Sequence, residues 1–137
     1  MPTIRSGAST DIELVLAFWR HATTEPSSTD DASSVEGLLE HAPDALIVAV
    51  EGNAIIGTVI VGWDGWRGGL YRPAVSPTHR RRGVATALVA EAERRLREQG
   101  AVRLHLIVAS DQEPARKFWN AAGYDLTDQL RFVKTFV

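Results

Sequence analysis

The residues whose spacing carries the most chemistry run Ser76-Pro77-Thr78-His79-Arg80-Arg81-Arg82-Gly83-Val84-Ala85-Thr86-Ala87-Leu88. An apolar run over residues 70–75 precedes them, and a helical pattern follows without a break to residue 99. A strand that turns through Arg-x-x-Gly-x-Ala into a helix leaves a row of backbone N–H groups without partners at the helix start. Those donors, at the positive end of the helix dipole, suit a phosphate or a diphosphate. Gly83 lets the main chain come close to such a ligand, and Ala85 adds little bulk beside it. Arg81 and Arg82 either add charge-assisted bonds to a phosphate or point into solvent while the backbone alone binds. A phosphate-bearing cofactor is therefore predicted before anything is said of a second substrate.

Groups able to move a proton are few. Tyr71 lies on the strand before the turn, Glu25 in an early polar loop and Tyr124 near the end of the chain. Each is a candidate acid or base, and a bridging water is the other. The histidines, His21, His41, His79 and His105, are scattered without metal-ligand spacing, so no metal is expected. His79 reads as a solvated turn residue and His105 as a core or half-buried strand residue. Trp19, Trp63 and Trp66 read as core or interface residues; alternatively Trp66 walls an acceptor pocket with its aromatic face. The chain has no cysteine. That excludes disulfides, thiolate metal sites and a cysteine acyl intermediate.

The elements that must position these groups follow from periodicity. Residues 3–6 make a short strand, and Thr10-Asp11-Ile12-Glu13 reads as a capping box for a helix with Val15, Leu16 and Trp19 on one face. Residues 21–33 form a polar loop, and Ser33-Ser34-Val35-Glu36 offers a second box for a helix ending near residue 41. Residues 45–50 and 54–63 form a hairpin about Glu51-Gly52-Asn53, and residues 70–75 a further strand. The helix over residues 84–99 carries Val84, Ala85, Leu88, Ala92 and Leu96 on its buried stripe, with Glu91–Arg95 and Glu93–Arg97 pairs on its wet face. Strands over residues 102–108 and 130–136 flank a last helix between Pro114 and Gly123. This is an α/β chain with a mixed sheet of six or seven strands and about four helices.

With 137 residues, 45% hydrophobic and 23% charged, the chain reads as a single domain over residues 1–137. A net charge of −2 gives no field for nucleic acid or an anionic membrane. No apolar run nears the roughly 20 residues of a membrane span, and the first residues lack a secretory apolar segment. A cytoplasmic location is expected.

This order of elements, with Arg80-Arg81-Arg82-Gly83-Val84-Ala85, Val75-Ser76-Pro77 just before it and the block from Gln112 to Tyr124, resembles the GCN5-related N-acetyltransferase (GNAT) superfamily. The resemblance implies a GNAT-like fold splayed between the fourth and fifth strands, and acetyl-CoA as co-substrate. It places the pyrophosphate on the backbone N–H groups of Arg81, Arg82, Gly83, Val84, Ala85 and Thr86, with Arg80 also at the cofactor, and the pantetheine arm along Ala74, Val75 and Ser76. Gln112 and Trp119 would border the same cofactor. It also implies that the acidic loop with Glu25, Asp30 and Asp31 borders the acceptor.

Three positions depart from the family's pattern. Trp119 stands where many relatives carry a tyrosine acid, and an indole N–H is no useful acid. Gln112 replaces an asparagine. Pro73 falls in the fourth strand, where the family has a bulge whose amide polarises the acetyl carbonyl. If residue 73 is that donor it is lost; if Ala74 or Val75 is, Pro73 fixes the bulge, which we favour because a proline inside a sheet needs one. The glutamate some relatives use as a base falls at Gly69, with Tyr71 on the same face.

The expectation is direct transfer of acetyl from acetyl-CoA to a primary amine, of a small molecule or a peptide. A homodimer fits, and neither nucleic acid nor membrane is expected as a partner. The alternative is a non-catalytic CoA-binding module or sensor subunit.

Overall fold

Two strands that are apolar on both faces have to be covered on both sides. These are Leu46–Glu51 (β2) and Ala54–Trp63 (β3), joined through Gly52, whose φ of 62° gives the tight reversal. The computed structural model describes residues 2–22, 27–108 and 113–136. Its backbone falls into two compact units, Met1–Leu106 and Ile107–Val137.

In the first unit Thr3–Ser6 (β1), Gly68–Val75 (β4) and Leu104–His105 (β5) complete a sheet of order β1-β2-β3-β4-β5. The pairs are antiparallel except β4 with β5, which is parallel. The helices are Ile12–Ala22 (α1), Ala32–His41 (α2) and Val84–Gln99 (α3). Trp19 of α1 reaches Thr58, whereas a Cβ on the preceding Gly57 would meet Leu88 and Val84 of α3. Successive strand residues point to opposite faces, so α1 covers one face and α3 the other. Val35 of α2 joins Val15, Leu16, Trp19, Leu46 and Val48 in the core on the α1 side. Leu88, Ala92 and Leu96 are buried on α3, each leucine contributing about 1.5–3 kcal/mol by burial.

Neither predicted box caps its helix: a 3-10 turn over Ser9–Asp11 precedes α1, and α2 starts earlier than its box. The Asp11 carboxylate accepts from the amide of Ala8 at 2.7 Å, closing a short 3-10 turn ahead of α1. Asp31, not Ser33, caps α2 by accepting from Ser34 N at 2.7 Å. An aspartate two residues upstream outcompetes a serine because its carboxylate also meets the helix dipole.

The sheet has five strands among the described residues, not six or seven. The strand predicted over residues 102–108 shrinks to Leu104–His105. The one predicted over residues 130–136 is absent among the described residues. Leu130, Phe132 and Phe136 are exposed, so their alternation buries nothing and no ladder fixes them as a strand. The second unit holds Glu113–Ala121 (α4), whose buried Trp119 has its ring edge-on to Phe118 and Tyr124 at 5.0 and 5.1 Å.

Candidate functional site

The site grows from a defect in β4. Ile60 faces Tyr71 and Thr58 faces Ala74, so Arg72 and Pro73 together oppose Val59. That is a β-bulge, and Arg72 enters it at φ 52°. A proline lacking an N–H is tolerated there, which bears out the reading of Pro73 as a bulge residue. The bulge turns Arg72 toward α1. Its Nε donates to Asp30 Oδ1 at 2.8 Å, its Nη2 bonds Asp30 Oδ2, and its guanidinium carbon lies 5.6 Å from the centre of the Trp19 ring. Trp19 Nε1 donates to Thr58 Oγ1 at 2.8 Å, and that hydroxyl donates to the Arg72 carbonyl at 3.0 Å. One buried hydroxyl thus ties α1 to the bulge.

Past the bulge, Pro77–His79 forms a 3-10 turn, and His79 Nε2 meets Glu51 Oε1 at 3.1 Å. Arg81 and Gly83 then take positive φ, 65° and 80°. Such left-handed residues gather successive amides into an anion-sized hollow. The first backbone bond of α3 runs from Ala87 N to Gly83 O at 3.0 Å, and no side chain caps the helix. The amides of Val84, Ala85 and Thr86 precede that bond. A Cβ on Gly83 would meet nothing within 4 Å, so the turn opens to space. Arg80, Arg81 and Arg82 are exposed, Val84 is buried and Ala85 half-buried.

β4 meets β5 only at Gly68–Leu104 and Gly69–His105. Residues 70–75 pair with β3 on one side, and their other edge has no strand among the described residues. Ala74, Val75 and Ser76 lie on or just past that free edge, half-buried. The pairing of β4 with β5 is thus confined to two positions among the described residues. The hollow and the free edge together fit a ligand with a diphosphate at one end and an extended amide-bearing arm.

The other end of the edge is walled by a feature the sequence reading missed. Gly62 pairs with Gly69, and Gly69 with His105, so the three form one row across the sheet. The Tyr71 ring fills the room left by the glycines. A Cβ on Gly62 would stand 2.8 Å from its ring, and one on Gly69 would stand 2.9 Å from its hydroxyl. His105 meets the Tyr71 ring edge-on, centroids 6.4 Å apart. His105 is exposed, correcting the expectation of a core or half-buried residue. Glycine inside two adjacent strands, two residues from a tyrosine, was the available signal of a close approach. Tyr71, His105, Gly62, Gly69 and Trp63 line an open cleft of about 1000 Å³.

Carboxylates near this cleft are engaged. Asp64 accepts from the amides of Arg67 and Trp66, each at 2.7 Å, and those bonds hold its carboxyl below the ordinary range. Bonds from Arg94 and then Arg95 hold Glu91 down to about 2. In the acidic loop Asp30 is bound to Arg72 and Asp31 caps α2. Glu25 and Gln112, both expected at the site, lie outside the described residues. Trp119 and Tyr124 lie in the second unit. Trp66 is 69% exposed beneath the Arg67 guanidinium, not in a core.

Known proteins resemble this chain in sequence and in fold. The sequence profile of the acetyltransferase (GNAT) family matches residues 12–124. An acetyltransferase of Pectobacterium atrosepticum is 31% identical over 134 residues, covering 98% of this chain and 95% of that protein. The crystal structure of Ard1 from Thermoplasma volcanium superposes with a TM-score of 0.82 at 24% identity, covering 92% of this chain and 84% of that one. The PaiA N-acetyltransferase from Thermoplasma acidophilum, solved with coenzyme A, superposes with a TM-score of 0.82 at 15% identity, covering 94% of this chain and 92% of that one. The strand, bulge, left-handed turn and helix described above thus have a family to which they belong: this chain is a member of the GNAT acetyltransferases.

Proposed function

We propose that this protein transfers acetyl from acetyl-CoA to a primary amine by direct attack in a ternary complex. The observation that carries the reading is the open left-handed turn at Arg81–Gly83, leading into the uncapped start of α3 at the end of a half-free strand. The amides over residues 83–86 would hold the pyrophosphate, with the charges of Arg80, Arg81 and Arg82 nearby. The free edge at Ala74, Val75 and Ser76 would take the pantetheine arm as an added strand. Acetyl-CoA supplies the activated acyl group. The chain's part is to orient the thioester and polarise its carbonyl with a bulge amide, that of Ala74 or Val75 because Pro73 has none. Tyr71, at the closed end of the same edge, stands within the cleft where an acceptor would enter.

The test is thiol release from acetyl-CoA in the presence of spermidine, kanamycin or an alanine-headed peptide, with acetyl-CoA binding followed separately by calorimetry. Thiol release that depends on an amine and yields its N-acetyl product supports the reading. Binding without release for any amine favours a CoA-binding module.

A further inference from the structure

Within that transferase reading, we propose that Arg72 and Asp30 are positioning residues: their ion pair holds the bulge of β4 in the conformation that presents its amide to the thioester carbonyl. Arg72 enters the bulge at φ 52°, a backbone conformation that residues with a side chain rarely take. It is gripped at two ends. Its carbonyl accepts from the wholly buried Thr58 Oγ1 at 3.0 Å. Its guanidinium forks onto Asp30, Nε to Oδ1 at 2.8 Å and Nη2 to Oδ2. The two side chains are only 18% and 16% exposed, so water competes weakly for either charge. A bidentate fork fixes direction as well as distance, which a point charge would not.

Asp30 can serve as the anchor because its own turn is fixed. Ser27 N donates to Asp30 Oδ2 at 3.0 Å, and Asp30 N donates to the Ser27 carbonyl at 3.1 Å. The next residue, Asp31, caps α2 by accepting from Ser34 N at 2.7 Å. The guanidinium also lies 5.6 Å from the centre of the Trp19 ring on α1. The bulge is thus tied to α1 and to the turn that leads into α2, where the strand ladder itself shifts register opposite Val59. Ala74 and Val75, whose amides are proposed to meet the thioester, follow directly after Arg72-Pro73. The proline ring locks φ at residue 73, so a rotation at Arg72 is poorly absorbed before it reaches them. Negative charge grows on the carbonyl oxygen only in the transition state. A misplaced amide therefore slows the transfer more than it weakens cofactor binding.

The test measures kcat and acetyl-CoA affinity for Asp30→Asn, Arg72→Gly and the double variant, with spermidine, kanamycin and an alanine-headed peptide as probe amines. Glycine accepts a φ of 52° without strain, so Arg72→Gly removes the side chain and spares the backbone. In each variant kcat should fall at least ~10-fold. Acetyl-CoA affinity by calorimetry should stay within about threefold of the wild type, a split that a general loss of structure would not produce. The double variant should be slower than the slower single by no more than about twofold, because both act through one ion pair. An unchanged kcat in either single variant overturns the proposal while leaving the transferase reading standing. So does an affinity loss that matches the loss in kcat, and so do losses that multiply in the double variant. A wild-type chain that binds acetyl-CoA and acetylates no probe amine overturns both.

Discussion

The indole N–H of Trp19 donates to the hydroxyl of Thr58 at 2.8 Å in a buried position, and the same hydroxyl donates a hydrogen bond to the carbonyl of Arg72 at 3.0 Å. Thr58 is wholly buried. Its hydroxyl therefore couples α1 to the bulge of β4 in a medium where hydrogen bonds to neighbouring groups are costly to lose. Thr58→Val keeps the shape and removes both bonds. We expect it to destabilise the fold by about 1–3 kcal/mol and to weaken acetyl-CoA binding, because the bulge sets the free edge of the strand. Urea unfolding and calorimetry check the two effects.

Tyr71 depends on the bare row beneath it. Gly62→Ala would bring a methyl to within 2.8 Å of the ring, which must shift to admit it, so some stability is lost. Tyr71→Ala removes the obstructing ring. The double variant should therefore lose clearly less stability than the sum of the two singles. Additive losses in unfolding midpoints would mean that the ring does not lie over Gly62.

The φ of 80° at Gly83, with open space around it, separates two effects at one position. Gly83→Ala meets no atoms and costs about 1–2 kcal/mol for the left-handed backbone alone. Gly83→Glu adds a carboxylate beside the amides proposed to hold the diphosphate. Its acetyl-CoA affinity should fall at least tenfold below that of Gly83→Ala, about 1.4 kcal/mol. Equal affinities by calorimetry would remove the diphosphate from this turn.

The α3 surface carries a pH signature. Glu91 lies between Arg94 and Arg95, which hold its carboxyl down to about 2 from 4.5. A carboxylate depressed in the folded state stabilises above its unfolded pKa, and that contribution disappears as pH falls through the folded value. The stability gap between the wild type and Glu91→Gln should be steady above pH ~5, at about 1 kcal/mol for a largely surface-bound pair. It should shrink as pH drops from about 4.5 toward about 2. A gap independent of pH in urea titrations would show that Glu91 is not held ionised by the arginines.

Most of the first unit is legible in the sequence because its signals are local. The doubly apolar runs of β2 and β3, the stripe of Val84, Leu88, Ala92 and Leu96, and Gly83 before a helix each state their own geometry. Pro73 even announces the bulge. What escaped depends on partners distant in sequence. Whether residues 130–136 pair as a strand depends on a neighbouring strand, not on their own alternation, and among the described residues none pairs with them. The exposure of His105 follows from two glycines 36 and 43 residues upstream, Gly69 and Gly62, whose missing side chains matter only once the register is known. Asp30 reads as one of several loop acids, and only the bulge reveals that Arg72 turns toward it.

The most direct measurement is a crystal structure of the protein grown with coenzyme A. The account predicts diphosphate oxygens within hydrogen-bond distance of the amides over residues 83–86, and the pantetheine amides paired with the free edge of β4, with the sulfur end beside the bulge. Coenzyme A bound elsewhere, with the α3 turn empty, would contradict it.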